Sequence, residues 1–197
     1  MPKELAKRSI ASGFRQLVAQ KPFSSITVND ICKHSGVSRR TFYRYFSDKC
    51  DVFSWIYYDE FLSKVEYHED WVVWDYFPAA CVYCYSVREL FVAAGQVKGE
   101  NSTKHYWREF LRPLIMHDYQ DYGISQEAAN IYIDYACDVL FDIMCDWLSR
   151  PDAKPPLEFA ADMRSIRAQQ AKCAWETAAR EPSPESIPEP VEPELQT

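Results

Sequence analysis

The sequence predicts an all-α protein, with a small three-helix head joined to a larger helical bundle. Three observations carry that reading. Apolar residues recur every three or four positions along most of the chain, and no stretch alternates long enough to suggest a strand. Capping residues (Thr27, Ser38, Asp48, Ser102, Ser125) and breakers (Pro22, Gly36, Gly123) punctuate the chain at helix-length intervals. Finally, 197 residues that are 47% hydrophobic suffice to bury one small unit and one larger one.

Residues 3 to about 20 form the first helix, with Ile10, Phe14, Leu17 and Val18 on one face, and Pro22 ends it. Thr27 caps a second helix, with Asp30 three positions on as a variant of the capping box; Ile31 and Cys32 supply its buried face. Gly36 takes the tight reversal that follows, where positive φ favours glycine. Ser38 then caps a short third helix in which Phe42 and Phe46, four apart, face inward. A fourth helix starts at Ser47-Asp48, and Val52, Phe53, Ile56, Tyr57 and Phe61 join the head to the body.

In the body, residues 70 to about 85 read as an aromatic-rich helix that Pro78 kinks or restarts. A short helix covers 88–94, and a loop containing Gly95 and Gly99 follows. Ser102 caps a helix reaching about Tyr122, with Trp107, Phe110, Leu111, Leu114 and Ile115 inward and a bend or break at Pro113. Ser125 caps a long helix whose apolar positions are Ile131, Tyr135, Val139, Ile143 and Trp147. Pro156 opens the last helix, through about Ala179. From Glu181 onward the chain is rich in proline and glutamate with almost nothing to bury, so it is expected to be disordered. The expected domains are a head of residues 1–49, a body of 50–180 and a tail of 181–197.

The third helix exposes Arg39, Arg40, Thr41, Tyr43 and Arg44, followed by Tyr45. A structural amphipathic helix does not need so many donors on one turn and a half. Helix, glycine turn and donor-rich second helix make the pattern of a helix-turn-helix DNA reader. Charge supports it. The chain carries a net −7, yet residues 1–49 hold ten Lys/Arg against three Asp/Glu, and the remainder twelve against twenty-six. A basic head on an acidic body concentrates positive potential where phosphates dock.

Ile10, Ala11, Phe14, Leu17, Phe23, Ile26, Thr27, Val28, Asp30, Ile31, Gly36, Val37, Ser38, Tyr43, Phe46, Lys49 and Val52 stand at spacings that resemble the TetR/AcrR N-terminal domain. The match covers about the first quarter of the chain. It departs from the family at Cys32, where alanine is usual, at Arg40, where glycine is common, and at Tyr45, where histidine is common. The resemblance implies base-edge contacts from Arg39, Arg40 and Thr41. An arginine fork can bridge guanine O6 and N7, and the first turn of a recognition helix enters the groove deepest. Phosphate contacts are expected from Thr27, Ser38, Tyr43, Lys49 and Tyr45, with Arg44 able to serve either role.

The resemblance also implies an effector pocket in the body, for which Trp74, Phe77, Tyr83, Phe91, Trp107 and Phe110 are candidate linings. It implies a homodimer built on the last two helices. Independently, Tyr132, Ala136, Val139, Leu140, Ile143 and Met144 spread apolar surface over more than one stripe, as a helix with two partners requires. The last helices also resemble the subgroup that includes dihydroxyacetone-kinase regulators, from which no effector is carried over.

No cofactor or metal is expected. Cys81-x-x-Cys84 is half a zinc site with no second pair, and its two cysteines share a helical face as small hydrophobes do. Seven dispersed cysteines, a polar N-terminus and the lack of a spanning apolar run suggest a cytoplasmic protein without membrane association. The function expected is an effector-responsive regulator, a repressor that binds a near-palindromic operator in double-stranded DNA. The alternative is an activator or co-regulator whose body binds a protein partner. An enzyme is not expected, because no acid-base pair, nucleophile elbow, phosphate loop or metal set is present.

Overall fold

The computed structural model describes residues 2–66, 68–97, 102–117 and 125–178, and among these all regular structure is helical. The α-helices are α1 (Lys3–Val18), α2 (Val28–Ser35), α3 (Arg39–Tyr45), α4 (Lys49–Glu60), α5 (Val73–Ser86), α6 (Arg88–Gly95), α7 (Thr103–His117), α8 (Gln126–Ser149) and α9 (Pro156–Ala178). Met1–Ala160 pack as one unit and the chain from Ala161 forms a second, whose described part continues α9. The glycines expected to bound the loop and close α7, Gly99 and Gly123, lie outside the described residues, as does the tail of 181–197.

In the head, Ile10, Phe14 and Leu17 of α1 bury against Ile31 of α2 and Phe42 of α3, and Phe23 meets Phe14 edge-on at 5.6 Å. Gly13 makes the close crossing of α1 and α2 possible. A Cβ there would stand 2.9 Å from the Ser35 amide nitrogen, inside contact distance to backbone that cannot yield. The Ser9 hydroxyl ties the same crossing by donating to the Ser35 carbonyl at 2.8 Å. Gly36 ends α2 at φ 65°, and the Val37 amide then donates back to the Cys32 carbonyl. That left-handed cap sets the angle at which α3 leaves.

α4 passes from the head into the body. Val52, Phe53, Ile56 and Tyr57 are buried, with Phe53 against Phe91 of α6 and Tyr57 against Trp107 of α7. Phe141 of α8 completes this aromatic cluster beside Phe91 and Trp107. α5 begins at Val73, three residues later than expected, where the Asp75 carboxylate accepts from the Val72 amide at 3.0 Å. Both prolines lie inside continuous helices rather than at breaks. Around Pro78, Phe77, Cys81 and Cys84 bury on one face of α5, and that burial holds the helix through the lost backbone bond.

The core face of α8 includes Trp147, as expected, but differs at its start. Ile131 and Tyr135 are each 67% exposed; Ile133, Cys137, Leu140, Phe141, Met144 and Leu148 are buried instead. Both sets satisfy helical spacing, so spacing could not choose between them. Ion pairs with α7 accompany the inward set. Lys104 donates to Asp142, Arg108 forks onto Asp138 at 2.7 and 2.6 Å, and Arg112 bonds Asp134 and Asn130. This ladder repeats every four residues on both helices. Among the described residues no helix is long and apolar enough to cross a membrane.

Candidate nucleic-acid interface

The site is built on two caps and the turn between them. Thr27 caps α2 in a reciprocal box: its Oγ1 accepts from the Asp30 amide at 3.2 Å, and the Asp30 carboxylate accepts from the Thr27 amide at 2.9 Å. The Lys21 ammonium reaches the same carboxylate at 2.8 Å. Lys21 first, then the Thr27 hydroxyl and amide, hold the Asp30 carboxyl well below the usual carboxylate range. Ser38 caps α3 by accepting from the Thr41 amide at 3.1 Å, and the two hydroxyls lie 3.0 Å apart. The start of each helix therefore faces solvent with two backbone N–H groups still free to meet an anion.

On α3, Phe42 is fully buried and the cap residue Phe46 nearly so, while Arg39, Arg40, Tyr43 and Arg44 are exposed and Thr41 and Tyr45 are half-buried. Arg40 and Arg44 have no hydrogen-bond or ion-pair partner among the described residues, and their charge faces water. Arg39 is held: its Nη1 donates to Asn29 Oδ1 at 2.8 Å, and its guanidinium lies 5.7 Å from the centre of the Tyr43 ring. The structure thus brings Thr27, Ser38, Arg39, Arg40, Thr41, Tyr43 and Arg44 to one end of the head.

Lys49 stands apart from that group. Its ammonium donates to the main-chain carbonyls of Phe23, Ser24 and Ile26 at 2.7, 3.3 and 3.1 Å and lies over the Phe23 ring. An ammonium has three N–H groups, and all three are used within the chain. Burial also pushes its pKa down. The geometry gives Lys49 the work of pinning the turn that presents Thr27, and the ammonium expected at a phosphate meets these three carbonyls. Asn29, Lys21, Ser9 and Gly13 escaped the sequence reading, because nothing in local spacing links residues that meet only once the turn at Gly36 has folded.

Residues 10–54, which span this whole arrangement, match the family described as bacterial regulatory proteins, tetR family. The N-terminal domain is similar to that family. Over 70 residues it is 29% identical to the HTH-type dhaKLM operon transcriptional activator DhaS of Lactococcus lactis subsp. lactis (strain IL1403), a stretch covering 36% of this chain and 37% of that relative. The match therefore spans little more than a third of the curated relative's length. A solved structure described as Dihydroxyacetone kinase operon activator DhaS shares the fold, with a TM-score of 0.55 and 18% identity over 85% of this chain and 97% of that one.

In the body a cavity of about 40 Å³ lies among Tyr57, Phe61, Phe77, Trp107, Leu111 and Met144. Of the expected linings it brings together Phe77 and Trp107. Phe91 is core beneath it, Tyr83 turns to donate to Glu60 at 3.0 Å, and Trp74 packs outside it against Phe77. The side chain of Phe110 lies outside the described residues. The Trp107 indole N–H is buried without an acceptor among the described residues. Cys81 and Cys84 are fully buried, and burial pushes the Cys81 thiol up to about 12 and that of Cys84 higher than usual, so both stay protonated at neutral pH. Among the described residues no group of three or more His, Cys, Asp or Glu is placed to hold a metal ion.

Proposed function

We propose that the chain is a homodimeric transcriptional regulator that reads double-stranded DNA with α3. The observation that carries this is the exposed row Arg39, Arg40, Arg44 beside two capped helix starts, on the one strongly basic part of an acidic chain. Arg39, Arg40 and Thr41 face base edges, while Thr27, Ser38, Tyr43, Arg44 and Tyr45 face phosphates. The family assignment speaks for a regulator and against an enzyme. The head of residues 1–49 is the reader, and residues 50–180 supply dimerisation and control.

The exposed face of α8, with Ile131 and Tyr135, is the surface for a second copy, together with the start of α9, where Leu157 is exposed. Two heads on a two-fold axis then meet an inverted repeat whose half-sites are about one helical turn apart, or a multiple of it. As to the sign of regulation, the relatives described as activators favour activation over the repression expected from the sequence. The cavity beside Trp107, about 40 Å³, is far below the ~300–1,000 Å³ of ordinary ligand pockets, so an effector entering at that point has to open it, with the Trp107 N–H as its polar handle. A body that docks a protein partner needs no such opening.

Selection from a pool of randomised duplexes tests the reading. An enriched inverted repeat is the expected result. A pool that stays random after repeated rounds contradicts it.

A further inference from the structure

We infer that Asn29 on α2 determines specificity by holding Arg39 so that its free edge reads one guanine in each half-site. The inference rests on the DNA-reading proposal and deepens it. Arg39 is the first residue of α3, directly after the Ser38 cap. The Asn29 oxygen, 2.8 Å from Nη1, fixes one end of its guanidinium plane, and the Tyr43 ring beneath fixes the tilt. The side chain is therefore arranged before DNA arrives, unlike those of Arg40 and Arg44.

The chemistry of the free edge follows from which nitrogen is occupied. A guanidinium carries five N–H donors, and Asn29 takes one on Nη1. The opposite edge keeps Nε–H and Nη2–H, parallel and side by side. Two parallel donors match the adjacent O6 and N7 acceptors of guanine. Adenine sets an amino donor where O6 would be, and neither pyrimidine offers an adjacent acceptor pair. Arg40 and Arg44, with no internal partner among the described residues, adapt to whichever acceptors lie near them. One sharp guanine preference per half-site, owned jointly by Asn29 and Arg39, is the consequence.

Competition titrations test this, using duplexes selected by the wild-type chain and then changed one base pair at a time. Replacing the guanine read by Arg39 is expected to cost wild type about 10- to 100-fold. Arg39→Ala removes that penalty, Asn29→Ala shrinks it to a few-fold, and the double variant matches Arg39→Ala. Penalties at the other base pairs stay as in wild type. Asn29→Asp, which can still accept from Arg39, keeps the guanine penalty while binding every duplex more weakly, because it adds a negative charge near phosphates. If Asn29→Ala weakens all duplexes equally with the guanine penalty intact, Asn29 is only structural and the inference is wrong. An Arg39→Ala chain that keeps every penalty overturns it as well. A wild-type chain that selects no sequence at all instead overturns the DNA-reading proposal beneath it.

Discussion

The Lys49 ammonium lies 2.7 Å from the Phe23 carbonyl oxygen and 4.7 Å from the centre of the Phe23 ring. One residue of α4 thereby closes the turn between α1 and α2, on which the Thr27 cap depends. The body reaches the same point: the Tyr106 hydroxyl of α7 donates to Asp48, the cap of α4 immediately before Lys49, at 3.4 Å. Farther along α4, Glu60 joins Arg15 of α1 to Tyr83 of α5. Any shift of α4 against the body is felt at both ends of the head.

Lys49→Met keeps the stem over Phe23 and removes the three donors. Hydrogen bonds from a charged group contribute about 1.5–3 kcal/mol, and neighbouring carbonyls can turn to water, so a loss near the lower figure is expected. Thermal melting of the variant measures it. The salt slope of DNA binding should match that of wild type, whereas a direct phosphate contact would lower it by about one.

Asp30 is held ionised by Lys21 and the Thr27 box, so its folded pKa lies below its unfolded value. A depressed carboxylate adds stability that is complete above the ordinary value of about 3.9 and is lost as pH falls through the folded value. The head should therefore keep this contribution through mild acid and surrender it only in strong acid. An NMR titration of the Asp30 carboxyl should show it still ionised where a free aspartate is half-protonated, with the midpoint rising in Lys21→Met. An ordinary midpoint in the wild-type chain would contradict the geometry.

Gly13→Ala and Gly36→Ala should both destabilise the head, for different reasons. At Gly13 the new methyl meets the Ser35 backbone, and overpacking of this kind costs about 1–3 kcal/mol. At Gly36 there is open space, but φ is +65°, which costs an L-residue about 1–2 kcal/mol. Asparagine tolerates the left-handed region, so Gly36→Asn should recover part of the loss while Gly13→Asn should not. Denaturant unfolding of the four variants separates the two causes.

Substitutions on α8 distinguish its faces. Ile131→Asp or Tyr135→Asp should leave the fold intact and shift sedimentation to a monomer, because both residues are exposed within one chain. Leu140→Asp buries a carboxylate in the wall of the body cavity and should unfold the body itself. A folded dimer in the Ile131→Asp and Tyr135→Asp variants would move the interface elsewhere.

The head was legible because its caps and turn are local. Thr27, Ser38 and Gly36 act on neighbours within four residues, which is the range over which sequence speaks directly. The tertiary uses of exposed groups were not legible. Lys49 was read as a phosphate ligand because a lysine beside the recognition helix has the right charge; only the folded turn supplies the three carbonyls that claim it. In α8, Ile131 with Tyr135 and Ile133 with Cys137 satisfy the same spacing. Contacts distant in sequence, such as Arg108 with Asp138, thirty residues apart, accompany the set that is buried.

The central claim is that α3 reads bases in duplex DNA. It is tested most directly by the affinity ratio between a selected duplex and a scrambled one, measured at physiological salt for wild type and for the combined variant Arg39→Ala, Arg40→Ala, Thr41→Ala. Specific binding of this kind exceeds non-specific binding by at least about 10³-fold, and that ratio is predicted for wild type. The combined variant should bind both duplexes alike, near the wild-type affinity for scrambled DNA. A wild-type ratio near one, or a variant that retains the full ratio, would contradict the account.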